Sequence, residues 1–576
     1  MGIKMNIAKK IRQEIIQVLK KNSLLRNIDL ENFFETPPKT EFGDLASSVC
    51  FSLSKKMEKP PQKIAEDIVN KIKLKKDTFI TKIEAKAGYI NFFFDYPKIT
   101  KFGLKSILKE KNNYGYSNVG KNKKIMVEFA HPNTHKGFHI GHLRNICFGE
   151  SVSRILEFTN HKVYRTNYQG DIGPHVARCL WGFINLYKCK SPKKDKGEWL
   201  GKVYSEVNRM ISKNEKINQE VTEINNRLYS GDKEIVKLLK MTRKWSLDYF
   251  GEIYRELGSR FDKLYFESQV EKRAVKISKE LLKKGIAKLS EGAIIIDLSK
   301  FDLGIYVLLT KQGNPLYESK ELALAEKEFG DFKIDKCIHV VASEQKFYFQ
   351  QAFKVFELIG SPAAGKSQHL VYELVNLKTG KISSRLGTLV LYSELKEKII
   401  NKILSEIEKR NPKMSKKEKM DLAKKIGIGA LKYGMLNVSP DKVIFFDWDE
   451  ALQLEGNTGP YLQYAHTRCH SILKKTKKWK PIFENKNLVK EEKILINKLI
   501  QFPSLIEQVA NDLKPHFICN YAYELATLFS GFYHACPVLK AENKILRNFR
   551  LTLVKTTKIT LKNCLNLLGI DTPVKM

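Results

Sequence analysis

The chain has 576 residues, 43% hydrophobic and 28% charged, and its 101 Lys and Arg against 63 Asp and Glu give a formal net charge of +38. That length is too great for one hydrophobic core and predicts about three to four domains. No unbroken apolar run of about eighteen residues occurs, and the Lys-dotted start Met5–Lys20 has no continuous apolar stretch. Neither a transmembrane helix nor a secretory signal is therefore indicated, and a cytoplasmic protein that does not enter membranes is expected.

Residues 1–117 alternate helical spacing, over Asn6–Asn22 and Pro61–Ile72, with a strand pair ending at Tyr89–Phe94, and so predict a small α/β domain. The polar stretch Lys109–Lys124 looks like a linker. From Ile125 the pattern becomes strand (Ile125–Phe129), helix (His142–Thr159) and strand (Lys162–Thr166). Further apolar strands follow at Ala293–Asp297, Ile305–Thr310 and Lys336–Val341. This alternation predicts a doubly wound, Rossmann-like α/β domain over 118–394, its sheet mostly parallel and its ligand at the strand C-termini. Within it, Glu198–Phe250 is charged and helix-periodic, which predicts a helical insertion around 190–260 with no chemistry of its own. Residues 395–576 read as all-helical, with segments at Leu395–Lys409, Ser415–Tyr433, Gly459–Lys478 and Glu491–Leu513. Most aromatics there belong to a core, and a minority beside basic residues suit the stacking of unpaired RNA bases.

The chemistry concentrates where the first strand of the central domain meets its helix, at His139-Ile-Gly-His142. The first amides of a helix have no intrahelical partner and the dipole is positive there, which attracts a triphosphate. His139 and His142, three apart, share a face and can donate to phosphate oxygens, while Gly141 lets an adenine or ribose approach the backbone. A second polar segment, Lys378-Thr-Gly-Lys-Ile-Ser-Ser-Arg-Leu-Gly387, is bounded by glycine and carries a Lys, two hydroxyls and an Arg within five positions. Such a loop can close over phosphates. The net positive charge would draw the chain to any polyanion, with nucleic acid the natural candidate, although part of the excess reflects a composition rich in Lys, Ile and Asn. The nine cysteines include no Cys-x-x-Cys, and Cys469, between His466 and His470, has no second cysteine beside it, so no structural zinc or disulfide framework is expected.

Lys381-Ile-Ser-Ser-Arg385, paired with His139–His142, resembles the Lys-Met-Ser-Lys-Ser signature of class I aminoacyl-tRNA synthetases. The flanking residues resemble the arginyl-tRNA synthetase family: Glu128-Phe-Ala130, His131-Pro-Asn133, Lys136, Gly170-Asp-Ile-Gly173, Tyr317–Leu322, Val341–Gln345, Leu454–His466 and Leu567–Met576. Ahead of them, Phe42–Ala46, Pro60–Ala65 and Ala87–Asn91 resemble that family's additional N-terminal, tRNA-contacting domain. The resemblance implies ligation of L-arginine to the 3′-terminal adenosine of tRNA(Arg) through an arginyl-adenylate, by a monomer using ATP with Mg²⁺ and dependent on bound tRNA for activation. It implies catalytic roles for Lys136, His139, His142 and Lys381, and ATP contacts from Pro132, Gly141, His139, His142, Lys381, Ser383 and Ser384. Arginine would be bound by Glu128, Asn133, Tyr317, Glu321 and Gln345, and the anticodon by Tyr461, Tyr464 and Met576.

Departures from the family pattern are His131 for a small Ser, Ile172 for Trp, Glu321 for Asp and Leu386 for Lys. Ser384 stands where the signature has its second Lys, an absence for which Lys136 is expected to compensate. Two other readings stay open. A cysteinyl or glutamyl class I synthetase would lack this N-terminal domain, and the cysteinyl enzyme would need a zinc-binding cysteine site. A non-catalytic tRNA-binding relative would have less reason to keep its phosphate-binding residues.

Overall fold

The computed structural model describes residues 6–35, 37–75, 77–378, 390–476, 478–485 and 487–576. Ile125, Met126 and Val127 form the middle of strand β1 (Lys124–Glu128), all buried, as a strand covered by helices on both faces must be. It is the centre of a five-stranded parallel sheet in the order β5-β4-β1-β2-β3, where β2 is Lys162–Gln169, β3 Lys263–Phe266, β4 Lys336–Ala342 and β5 Ser367–Tyr372. The chain leaves β1 for β2 on one side and returns to β4 on the other, so the strand order reverses between β1 and β4. Ligands of open α/β sheets bind at the C-terminal side of such a reversal.

Two expected members of this sheet lie elsewhere. Ala293–Asp297 and Ile305–Leu309 pair antiparallel with each other, and the first of them with Lys288–Ser290, in a separate three-stranded sheet. The reason is local: Glu291 (φ 48°) and Gly292 (φ 84°) both take left-handed conformations between paired Ser290 and Ala293, the geometry of a tight two-residue hairpin. Apolar composition alone does not distinguish such strands from parallel ones.

The N-terminal sheet has four strands, Phe34–Glu35, Leu45–Ser47, Tyr89–Phe94 and Ile80–Lys86 in spatial order. The expected linker is instead a docking segment. Helix Tyr96–Glu110 leads to Tyr114, which is buried, stacks on Phe502 at 5.8 Å between ring centroids and donates its hydroxyl to the Leu499 carbonyl at 2.9 Å. Asn563 Nδ2 donates to the carbonyls of Lys111 and Tyr114, both at 3.0 Å. The insertion is helical as expected (Lys196–Ile211, Glu215–Ser230, Lys233–Glu256) and closes its own apolar core with the helix Pro174–Asn185. The C-terminal region carries helices Tyr392–Arg410, Lys416–Leu436, Gly459–Lys474, Lys490–Asp512, His516–Ala535 and Lys544–Leu567.

Helix α1 (Ile140–Phe158) connects these parts. Near its far end Ser151 Oγ donates to the Leu567 carbonyl at 3.0 Å and Arg154 to the Asn566 carbonyl at 3.0 Å, which fastens it to the last helix of the chain. Against the sheet it is held by Arg165 of β2. This guanidinium is fully buried, with Nε 3.0 Å from Glu150 Oε2 and its two terminal nitrogens 2.6 and 2.9 Å from the Glu157 oxygens. Ser259 and Arg154 complete the hydrogen bonds of Glu150. Breaking one partner of a buried, fully hydrogen-bonded ion pair strands the other charge. Arg165→Met is therefore expected to cost about 3–5 kcal/mol in urea unfolding. Arg260→Met, which removes an exposed partner of the same Glu157, is expected to cost about 1 kcal/mol or less.

Candidate active site

After β1 the backbone turns through conformations that side chains rarely adopt: Ala130 has φ 80°, His131 48° and His135 66°. Such strain persists only where surrounding bonds hold it, and it collects at functional turns. Here Asn145 of α1 accepts the Ala130 N–H and donates through Nδ2 to the Val340 carbonyl (2.7 Å) and the Tyr372 hydroxyl (2.9 Å). Thr134 N–H and Oγ1 both donate to the Gly170 carbonyl, at 3.0 and 3.1 Å, and Gly170 N–H donates back to Asn133 Oδ1 at 3.2 Å. A Cβ at position 170 would lie 2.5 Å from that same oxygen, so glycine is required there.

Helix α1 begins at Ile140, two residues before the expected His142 start, with His139 as its cap. Gly141 N–H donates to His139 Nδ1 at 3.1 Å, and His139 N–H donates to His142 Nδ1 at 3.2 Å. The Ile140 N–H is taken by the Val390 carbonyl at 3.2 Å. Two first-turn amides, those of Ile140 and Gly141, and the N–H of the cap are thus already satisfied. What remains is the rings: with both Nδ1 atoms accepting, each neutral imidazole carries its hydrogen on Nε2, an available donor. The rings lie 3.7 Å apart and tilted by 30°. Burial, with Lys136 adding to it, lowers the His139 imidazolium to about 4. Burial and then His139 push His142 well below its ordinary value, so both are neutral near pH 7. Gly141 is needed because a Cβ there would sit 3.0 Å from the His139 ring. Lys136 stands 5.3 Å from the centroid of the Tyr204 ring, which the helical insertion supplies, and Pro132 is buried in the turn itself.

Lys381, Ser383, Ser384 and Arg385 lie outside the described residues, but both flanks of their segment meet α1. On one side Arg144, 2% exposed, donates to the carbonyls of Leu374 (2.9 Å) and Lys442 (3.1 Å). On the other, Leu391 bridges His139, and Tyr392 N–H donates to the Phe138 carbonyl at 2.8 Å. The described flanks of that segment, at Leu374 and at Leu391–Tyr392, are therefore held at the start of α1 although their sequence separation from it is large.

Beyond the turn lies a buried acidic cluster. Glu128 ends β1, buried, with His339 Nδ1 3.4 Å from Oε2 and His131 Nδ1 3.6 Å from Oε1. His339 is its register partner on β4. Burial works to raise the Glu128 carboxyl, but His339, followed by His131, outweighs it and brings it to about 2. Burial raises Glu321 to about 7, with His339 opposing and Glu128 adding to the rise. Glu321 is buried on helix α2 (Tyr317–Phe332), where Tyr348 donates its hydroxyl to Oε2 at 3.1 Å. Tyr317, 70% exposed, and the exposed Gln345 lie at the ends of neighbouring elements rather than in this buried interior, and Asn133 is half-buried in the turn.

Cys337 joins Glu128 and His339 within 4.8 Å. Burial and the glutamates, Glu328 foremost, push its thiol well up. His131, His339, Glu328 and Tyr348 were not expected as pocket residues. Only the alternation of apolar residues along Lys336–Val341 hinted that His339 shares a face with Cys337.

At the far end, Tyr461 is half-buried with its ring 5.8 Å from that of Tyr523 between centroids, and Tyr464 is 41% exposed. The C-terminal tail is tied to the same helix: Gln463 Nε2 donates to the Asp571 carbonyl at 2.9 Å and Thr467 Oγ1 to the Pro573 carbonyl at 2.8 Å. Met576 packs partly buried against the core.

This arrangement agrees with what the chain is similar to. Residues 103–448 match the family of class I (R) tRNA synthetase catalytic domains, 462–576 the DALR anticodon binding domain, and 5–94 the arginyl tRNA synthetase N terminal domain. The arginine–tRNA ligase of Bdellovibrio bacteriovorus is 34% identical over 558 residues, covering 95% of each chain. That of Pyrococcus abyssi is 34% identical over 98% of this chain and 99% of its own. The solved structure of Thermus thermophilus arginyl-tRNA synthetase superposes with a TM-score of 0.82 at 26% identity, over 98% of this chain and all of the other. With a His-Ile-Gly-His turn at the switch point of a parallel sheet, an N-terminal domain of this kind and a helical anticodon-binding domain, the chain belongs to the arginyl-tRNA synthetase family of class I aminoacyl-tRNA synthetases.

Proposed function

We propose that the chain ligates L-arginine to the terminal adenosine of its tRNA at the expense of ATP, with Glu128 and Glu321 holding the guanidinium. The observation that carries this reading is the buried pair of carboxylates beside the neutral histidine pair. A guanidinium is a permanent, planar cation that carboxylates bind through a fork of donors, which lysine lacks. Among the described residues no donor hydrogen-bonds Glu128 Oε2, so an acceptor stands ready. Asn133, Tyr317 and Gln345 are proposed to complete the contacts to arginine.

The arginine carboxylate then attacks the α-phosphorus of ATP and expels pyrophosphate, after which a ribose hydroxyl of the tRNA takes the arginyl group. Neither step requires a protein nucleophile. His139 and His142, through Nε2–H, and Lys136 and Lys381 as cations, are proposed to stabilise the charge that grows on phosphate oxygens, with Pro132, Gly141, Ser383 and Ser384 lining the nucleotide. Mg²⁺ is expected to arrive with ATP, held mostly by phosphates and water. Tyr464, Tyr461 and Met576 are proposed to face the anticodon, with domain divisions near residues 117 and 394.

The direct test is aminoacylation of total tRNA with each of the twenty amino acids; charging with arginine alone is expected, and preference for another amino acid would overturn the reading. His142→Ala is expected to lower arginylation about a hundredfold while tRNA binding stays within a few-fold, the scale of losing one transition-state donor. A pH dependence also follows. Because the Glu321 carboxyl is raised to about 7, its charged form, which the guanidinium needs, fills in as pH rises. Arginine affinity measured by calorimetry is therefore expected to increase from pH 6 to pH 8, by up to about tenfold per unit at the acidic end. Flat affinity over that range would remove Glu321 from the contact.

A further inference from the structure

A third glutamate stands behind the pocket with no part in the roles above. Glu328 lies on α2 two turns after Glu321 and is 0% exposed. No donor reaches either of its carboxyl oxygens. Among the described residues the group placed to hydrogen-bond with it is the Glu128 carboxyl. The charged groups around it are acids, Glu128, Glu321 and Asp331, while the neighbouring Cys337 and Tyr265 are neutral at pH 7. Asp331 is itself engaged by Lys263 and Tyr265. Among the described residues no cation pairs with Glu328.

Two carboxyl groups share a hydrogen bond only if one of them keeps a proton, and an ionised carboxylate without a donor in a closed core is costly. Glu128 is the member with cationic support, from His339 at 3.4 Å, whose charged form Glu128 favours. The proton therefore stays on Glu328.

We infer that Glu328 is a positioning residue for arginine: as a neutral carboxylic acid it donates a hydrogen bond to Glu128, fixing that carboxylate while leaving its charge for the guanidinium. This rests on Glu128 and Glu321 forming the arginine pocket. The device suits a site that must present anionic oxygens to a fork of donors, because the hydrogen bond orients Glu128 without adding a third negative charge to the core.

Glutamine at this position keeps the shape and a donating N–H but can never be charged, so it separates the neutral acid from the carboxylate. Arginine and ATP dissociation constants are to be measured by calorimetry on the full chain, with saturating tRNA, at pH 6 to 9, for the parent, Glu328→Gln, Glu328→Leu and Glu128→Gln. Glu328→Leu is expected to weaken arginine about tenfold or more, the scale of a lost hydrogen bond to a charged group, with ATP unchanged. Glu328→Gln is expected to bind arginine within about threefold of the parent with the same pH profile. A loss in Glu328→Gln as large as in Glu328→Leu, or parental affinity in Glu328→Leu, overturns the inference. If Glu328→Leu does not fold, Glu328→Gln decides alone: near-parental affinity supports the neutral acid and a tenfold loss overturns it. Failure of the pocket itself has a different signature, since Glu128→Gln would then bind arginine like the parent.

Discussion

How the chain leaves β1 is the constraint on which the site depends. Ala130 and His131 are driven into left-handed backbone, and the amide of Asn145, bonded to Ala130, Val340 and Tyr372, links that turn to two neighbouring strands. The strain turns the chain sharply enough for α1 to start directly over the end of the sheet. One short turn thus joins the last residue of β1 to the cap of α1, and the proposed phosphate and arginine contacts both fall on it. A relaxed exit would separate the nucleotide from the amino acid, and in-line attack depends on their proximity.

Charge within this small volume is managed by burial. The two histidines are kept neutral because desolvation and nearby Lys136 oppose a charge on them. That keeps an Nδ1 lone pair on each ring to accept a backbone N–H, which in turn fixes the tautomer. On the amino-acid side burial favours protons on carboxyls, yet Glu128 remains ionised because His339 and His131 compensate. The same physical term therefore produces neutral donors on one side and a lone anionic anchor on the other. The partners chosen for each group make the difference.

Local features were readable in the sequence. The strand, the His-Ile-Gly-His turn and the long helix are contiguous, and the helical insertion and C-terminal bundle announce themselves by periodicity. Long-range pairing was not readable: Glu128 meets His339 only through the register of β1 on β4, which no local pattern encodes. The antiparallel sheet was missed because the Glu291-Gly292 hairpin outweighs strand composition. The supposed linker was misjudged because Tyr114, one aromatic in a polar run, is the part that docks. First-turn amides were expected to bind phosphate, whereas the His139 ring and Val390 already occupy two of them.

Helix α1 carries the histidine pair at one end and, three to four turns along, grips the carbonyls of Asn566 and Leu567 in the final helix. Its 19 residues span about 28 Å of stiff backbone. Mechanically it is a lever whose fulcrum is the Arg165 clamp on β2. A small rotation of the tRNA-binding bundle would tilt this lever and move the histidines with it, with no loop needed as a relay. The end of the last helix is thus joined to the histidine pair by the rigidity of one helix.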